Sequence, residues 1–105
     1  DGMVGLLGGT ALRRACSRLP AKADGTRCAI ADAVSTPAFG KLTENYSEIV
    51  HTVAPFYTRA DKTPNPEWAS LLERCWHSSL VEAHHARTVV APLLGAGARG
   101  APVRE

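Results

Sequence analysis

Apolar positions recur at three- and four-residue spacing through Trp68, Leu72, Cys75, Trp76, Ser79, Leu80 and Ala83. That period predicts an amphipathic helix whose stripe is wide enough to cover a sheet. Asn65 is the expected cap, with Pro66 at the first position and Glu67 in the positive first turn, and the helix is expected to run to about Ala86. Before it, residues 48–54 are β-branched and mostly apolar and stop at Pro55, as a buried strand does. After it, residues 88–94 form a second run of the same kind. Strand, helix, strand predicts a right-handed crossover that sets residues 49–54 and 88–94 parallel.

The first half is less regular. Residues 1–9 carry Gly2, Gly5, Gly8 and Gly9 and read as a loop. Thr10 is the expected cap of a short helix over 11–18, stopped by Pro20. Residues 22–25 are a polar turn, and 28–34 suit a strand or a short helix equally. Pro37, Gly40 and Asn45 make 35–47 a loop or an edge hairpin, and 58–64 is a loop.

Composition places the chain among ordinary globular domains: 105 residues, 45% hydrophobic and 21% charged. One core and one domain over 1–105 are expected, burying roughly two-thirds of the unfolded surface. The net charge of +2 is too small to drive nucleic-acid binding. Arg13, Arg14 and Arg18 form the one basic cluster, read as a solvated helix face. The three cysteines, Cys16, Cys28 and Cys75, are spaced for neither a disulfide framework nor a zinc pair. Residues 2–7 are too short and glycine-rich for a signal peptide, and no apolar run is long enough to span a bilayer. Cytoplasm or nucleus is the expected compartment. The first residue is Asp1 rather than Met, so the chain is expected to be part of something longer.

The candidate chemistry lies in a loop. Gly95-Ala96-Gly97-Ala98-Arg99-Gly100 follows the second predicted strand. Glycines allow left-handed backbone angles and close approach of a ligand, and successive amides turned inward make an anion-binding nest. In parallel α/β sheets ligands bind beyond the carboxyl ends of the strands, where both Ala54–Pro55 and this loop would lie. The loop fits neither the P-loop nor the dinucleotide fingerprint, so a plain turn stays open beside the phosphate reading. The glycine-rich run 2–9 entering a helix is a second candidate cradle. His51 sits mid-strand and reads as a hydrogen-bonded core histidine. Cys75, His77, His84 and His85 share a helix without meeting on one face, so no metal site is expected. Trp68 and Trp76 read as core packing.

Several segments together resemble the macro domain family. Ile49-Val-His-Thr-Val-Ala-Pro55 is similar to its (V/I)IHTVGP strand, and Leu71-Leu-Glu-Arg-Cys-Trp-His-Ser-Ser-Leu80 to its LLxxCYxxSL helix. Val90 to Pro102 resembles its (F/I)P-(L/A)-I-S-T-G-x-Y-G-x-P strand and loop. Cys28, Asp32, Ala33 and Thr36 fit C-x-x-G-(E/D)-A-x-x-T, and residues 8–15 resemble GGVDGAIHRA. The match spans nearly the whole chain in the family's order.

The resemblance implies an α/β fold, a three-layer α/β/α domain with a mostly parallel central sheet, incomplete in this chain. It implies ADP-ribose or ADP-ribosylated protein as the partner; a membrane, a metal and a cofactor are not expected. Carried over, Gly95, Ala96, Gly97, Ala98 and Arg99 surround the phosphates, with Gly8 and Gly9 opposite. The family's Ser-Thr pair is Gly95-Ala96 here, its loop tyrosine is Arg99, and its first-loop acid falls on Gly9. Asp1 is the nearest alternative acid, under a different gap. The family's opening strands and N-A-A-N segment would precede residue 1, and its last strand and helix would follow Glu105. A reader of ADP-ribosylation is the leading function. An ADP-ribosyl hydrolase and a non-binding structural fragment are the alternatives.

Overall fold

The structure is a computed structural model that describes residues 2–102. Helix α1, Gly2–Ser17, opens the chain, so most of the loop expected over 1–9 is helical instead. Glycine costs about 1 kcal/mol per helical position relative to alanine. Tertiary packing offsets it: Val4 and Leu7 lie against the buried cluster of Leu12, Ala38 and Leu42. Gly9 (φ 66, ψ −157) then kinks the helix, in a backbone region that essentially only glycine occupies. Thr10 falls inside the helix rather than at its cap, and its hydroxyl oxygen accepts from the Arg13 guanidinium at 3.3 Å.

The ambiguous stretch after the polar turn resolves into a bridge at Ile30 and strand β1, Ala33–Pro37. A 3-10 helix, Gly40–Glu44, leads to strand β2, Glu48–Thr52. The two strands pair antiparallel, in register from Ala33 with Thr52 to Pro37 with Glu48, so most of 35–47 is the connection of this hairpin. Gly40 (φ 57) is needed at the turn, because a Cβ there would collide with the Leu7 carbonyl of α1.

Helix α2, Trp68–Glu82, follows as the periodicity predicts and stops four residues short of Ala86. Asn65 takes up the amide of Glu67 on its side-chain oxygen at 3.1 Å, one turn before the helix. Cys75 is fully buried, and its thiol donates to the Val53 carbonyl at 3.3 Å. Leu80, assigned to the stripe by spacing, is exposed. Ser78 takes part in the packed face instead, donating to the Ala31 carbonyl at 2.8 Å.

The sequence places a second strand at 88–94, parallel to β2, and here the structure differs. Among the described residues the one sheet is the antiparallel pair β1–β2, and 88–94 lies in no strand. Val89, Val90 and Leu93 are 50%, 71% and 64% exposed. A strand is held by its ladder and its covered faces, and no described segment supplies a neighbour to this run. The chain is therefore α/β, with α2 laid on β1 and β2 and with α1 against β1 and the 3-10 helix.

Candidate functional site

The glycine loop folds as a closed turn at the carboxyl end of β2. The Ala101 amide donates to the Gly95 carbonyl at 3.0 Å, and the Gly100 amide to Gly97 at 3.0 Å. Gly95 and Gly100 take φ of 80 and 85, angles that favour glycine. A Cβ on Gly95 would stand 3.6 Å from that of Ala54 and 3.8 Å from Leu72, so the turn rests on the strand end and on α2. Gly97 takes no positive φ; the left-handed angles fall on the glycines at either end of the turn, where the chain reverses. Gly97 instead has open space where a Cβ would stand, with nothing within 4 Å. Among the described residues, the amides of Gly97, Ala98 and Arg99 donate to no backbone carbonyl.

The segment after β2 anchors this turn. Pro55 is fully buried, and the Tyr57 amide donates to the Arg99 carbonyl at 2.9 Å. Asn65 donates from its side chain to the Phe56 carbonyl at 3.0 Å, and its own amide donates to Tyr57 at 3.0 Å. The Tyr57 ring meets Trp68 edge-on, centroids 5.0 Å apart. The Arg99 guanidinium lies over the Phe56 ring, 4.0 Å from its centroid. Phe56 and Tyr57 are the residues that pattern reading missed; their signal was an aromatic pair directly after a strand end.

Gly8 and Gly9 belong to α1. Gly8 is buried against Leu12, and its carbonyl faces the Gly40 turn. No hydrogen bond among the described residues joins this pair to the 95–100 turn. Asp1 is outside the described residues.

His51 is a hydrogen-bonded histidine inside the packing. Its Nε2 is 2.9 Å from the Thr36 hydroxyl and 4.0 Å from Cys16 Sγ, and burial holds its pKa below the ordinary 6.5. Cys28 is pushed up from its usual value by burial, with the Asp32 carboxylate adding to the effect. Glu48 is lowered, mainly because its carboxylate accepts a hydrogen bond from His85 at 2.8 Å. A depression of about 420 Å³, lined by Lys22, Arg27, Cys28, Asp32, His77 and Glu82 among others, includes no residue of the glycine turn. Among the described residues no cluster of acids, cysteines and histidines suits a metal ion.

The turn at 95–100 is the segment that the resemblance aligns with the family's phosphate loop. The family model for the macro domain matches residues 1–105. The chain belongs to the macro domain family. An O-acetyl-ADP-ribose deacetylase of Salmonella gallinarum is 35% identical to it over 104 residues. That match covers 97% of this chain and 53% of the deacetylase, so the chain spans about half the length of this relative. No solved structure gives a significant match. Membership gives Ala31 a meaning: it stands at the glycine of the family's C-x-x-G-(E/D)-A pattern and holds a φ of 70.

Proposed function

We propose that this chain binds ADP-ribose, free or attached to protein, with the diphosphate received by the turn of Gly95, Ala96, Gly97, Ala98 and Arg99. The observation that carries this reading is the turn itself, braced on Ala54 and Tyr57, with free space at Gly97 and no described backbone partner for three successive amides. Amides of this kind suit an anion. Gly8 and Gly9 complete the cradle in this reading. A three-layer arrangement belongs to it as well. Ile49 and His51 meet α1 or its cluster, whereas Ser35 and Glu48, at alternate strand positions, meet Glu82 at the end of α2 and His85 just beyond it. A mostly parallel sheet would require 88–94 to gain a neighbouring strand.

The test is a calorimetric titration of wild type and Gly97→Val with ADP-ribose and with AMP, with circular dichroism to follow the fold. ADP-ribose is expected to bind better than AMP, because the groups named here face phosphate rather than adenine. Gly97→Val is expected to abolish binding and leave the fold intact, since its side chain enters open space and the φ is not left-handed. A folded Gly97→Val chain that binds like wild type removes the turn from the site.

Hydrolysis is the second reading, favoured by the name of the deacetylase relative. Gly9 offers no carboxylate where the family pattern has an acid. A positioned acid–base group contributes on the order of a hundred- to ten-thousand-fold. Little release of acetate from O-acetyl-ADP-ribose is therefore expected; rapid turnover would make hydrolysis the leading reading.

A further inference from the structure

Arg99 is the only charged side chain of the 95–100 turn, and the turn's backbone alone does not fix where its cation stands. Two contacts to the neighbouring segment do. The Tyr57 amide holds the Arg99 carbonyl at 2.9 Å, and the guanidinium lies 4.0 Å from the Phe56 ring centroid. Phe56 is 51% exposed, so the pair stands at the surface beside the turn. No described carboxylate lies within ion-pairing distance of Arg99. A cation held over a ring face spends no hydrogen-bond donor on that contact. Its N–H groups remain for a planar, bidentate grip on phosphate.

We propose that Phe56 is a positioning residue: it parks the Arg99 guanidinium beside the glycine turn, ready to contact the anionic diphosphate of the ligand. The inference rests on the reading of the turn as a diphosphate site. Phe56 reduces the conformational freedom that a long arginine side chain would otherwise lose on binding. Its own segment is fixed from the far side, because Asn65, ahead of α2, donates to the Phe56 carbonyl at 3.0 Å. Substitution of the family's loop tyrosine by arginine thus comes with a partner that holds the arginine in place.

The experiment is a double-mutant cycle on the whole chain, with ADP-ribose affinity measured by calorimetry between about 0.01 and 0.15 M salt. Arg99→Ala is expected to weaken binding about ten- to hundredfold at low salt and to flatten the salt dependence. Phe56→Leu is expected to weaken it about two- to fivefold. Phe56→Tyr, which keeps the ring face, is expected to match wild type. Once Arg99 is alanine, Phe56→Leu should cost nothing further. An equal loss from Phe56→Leu in both backgrounds, or a Phe56→Tyr chain as weak as Phe56→Leu, overturns the inference and leaves the diphosphate site standing. A folded wild-type chain that binds no ADP-ribose overturns the site and the inference together.

Discussion

Ala31 holds a left-handed backbone at φ 70 with its side chain fully buried, and its amide donates to the Val53 carbonyl at 2.9 Å. Left-handed angles cost a non-glycine residue roughly 1–2 kcal/mol. The strain persists because neighbours on both sides fix it: the Val53 bond and the Ser78 hydroxyl on its own carbonyl. Ala31→Val brings a β-branched side chain to that angle and into filled space. It is expected to cost about 2 kcal/mol or more, read as a lower urea midpoint at unchanged slope. Ala31→Gly is expected to stay within about 1 kcal/mol of wild type, because relief of strain offsets the lost methyl group. If both variants lose stability equally, the backbone angle is not what constrains the position. The sequence carried this signal in an alanine standing where the family writes glycine. Only the backbone shows that the angle is kept without the glycine.

At the scale of elements, His51 ties three together. It belongs to β2, meets Thr36 of β1 through Nε2 at 2.9 Å, and approaches Cys16 of α1 at 4.0 Å. Burial holds its folded pKa below 6.5. As pH falls through 6.5 the unfolded chain takes up the proton first, so stability is complete above that value and declines below it until the folded group titrates too. Chemical unfolding from pH 7 to pH 5 is expected to show the decline, and His51→Gln, which can still bond Thr36, to flatten it. Glu48 acts lower: its pKa is lowered from 4.5 chiefly by the His85 hydrogen bond, so its contribution is lost only as pH falls below that value. An unchanged slope in His51→Gln would assign the decline to another group. Mid-strand position made a packed histidine legible from sequence. Its partners were not, because Thr36 and Cys16 are brought to it by a hairpin and by the run of α1.

For the whole molecule, the decisive feature is the apolar run at 88–94. Composition gives it every property of a buried strand, yet Val90 is 71% exposed. Val90→Ser is therefore expected to change the stability of this chain by less than about 0.5 kcal/mol. A buried valine would lose roughly 1.5–3 kcal/mol. A loss in that upper range would mean that residues 88–94 are packed in solution.

The sequence by itself determined α2, β2, the turn between them and the glycine loop, because each is specified locally by side-chain period, by β-branching or by glycine. Family membership was legible for the same reason, since its motifs are short and in order. Tertiary structure decided the rest. It made 2–8 helical, since Val4 and Leu7 found a buried cluster to join. It chose Gly95 and Gly100 rather than Gly97 as the hinges of the loop, and set Phe56 under Arg99. Among the described residues it also left 88–94 without a ladder. A strand, unlike a helix, satisfies its backbone only through a neighbour, and no pattern within a segment can say whether that neighbour is there.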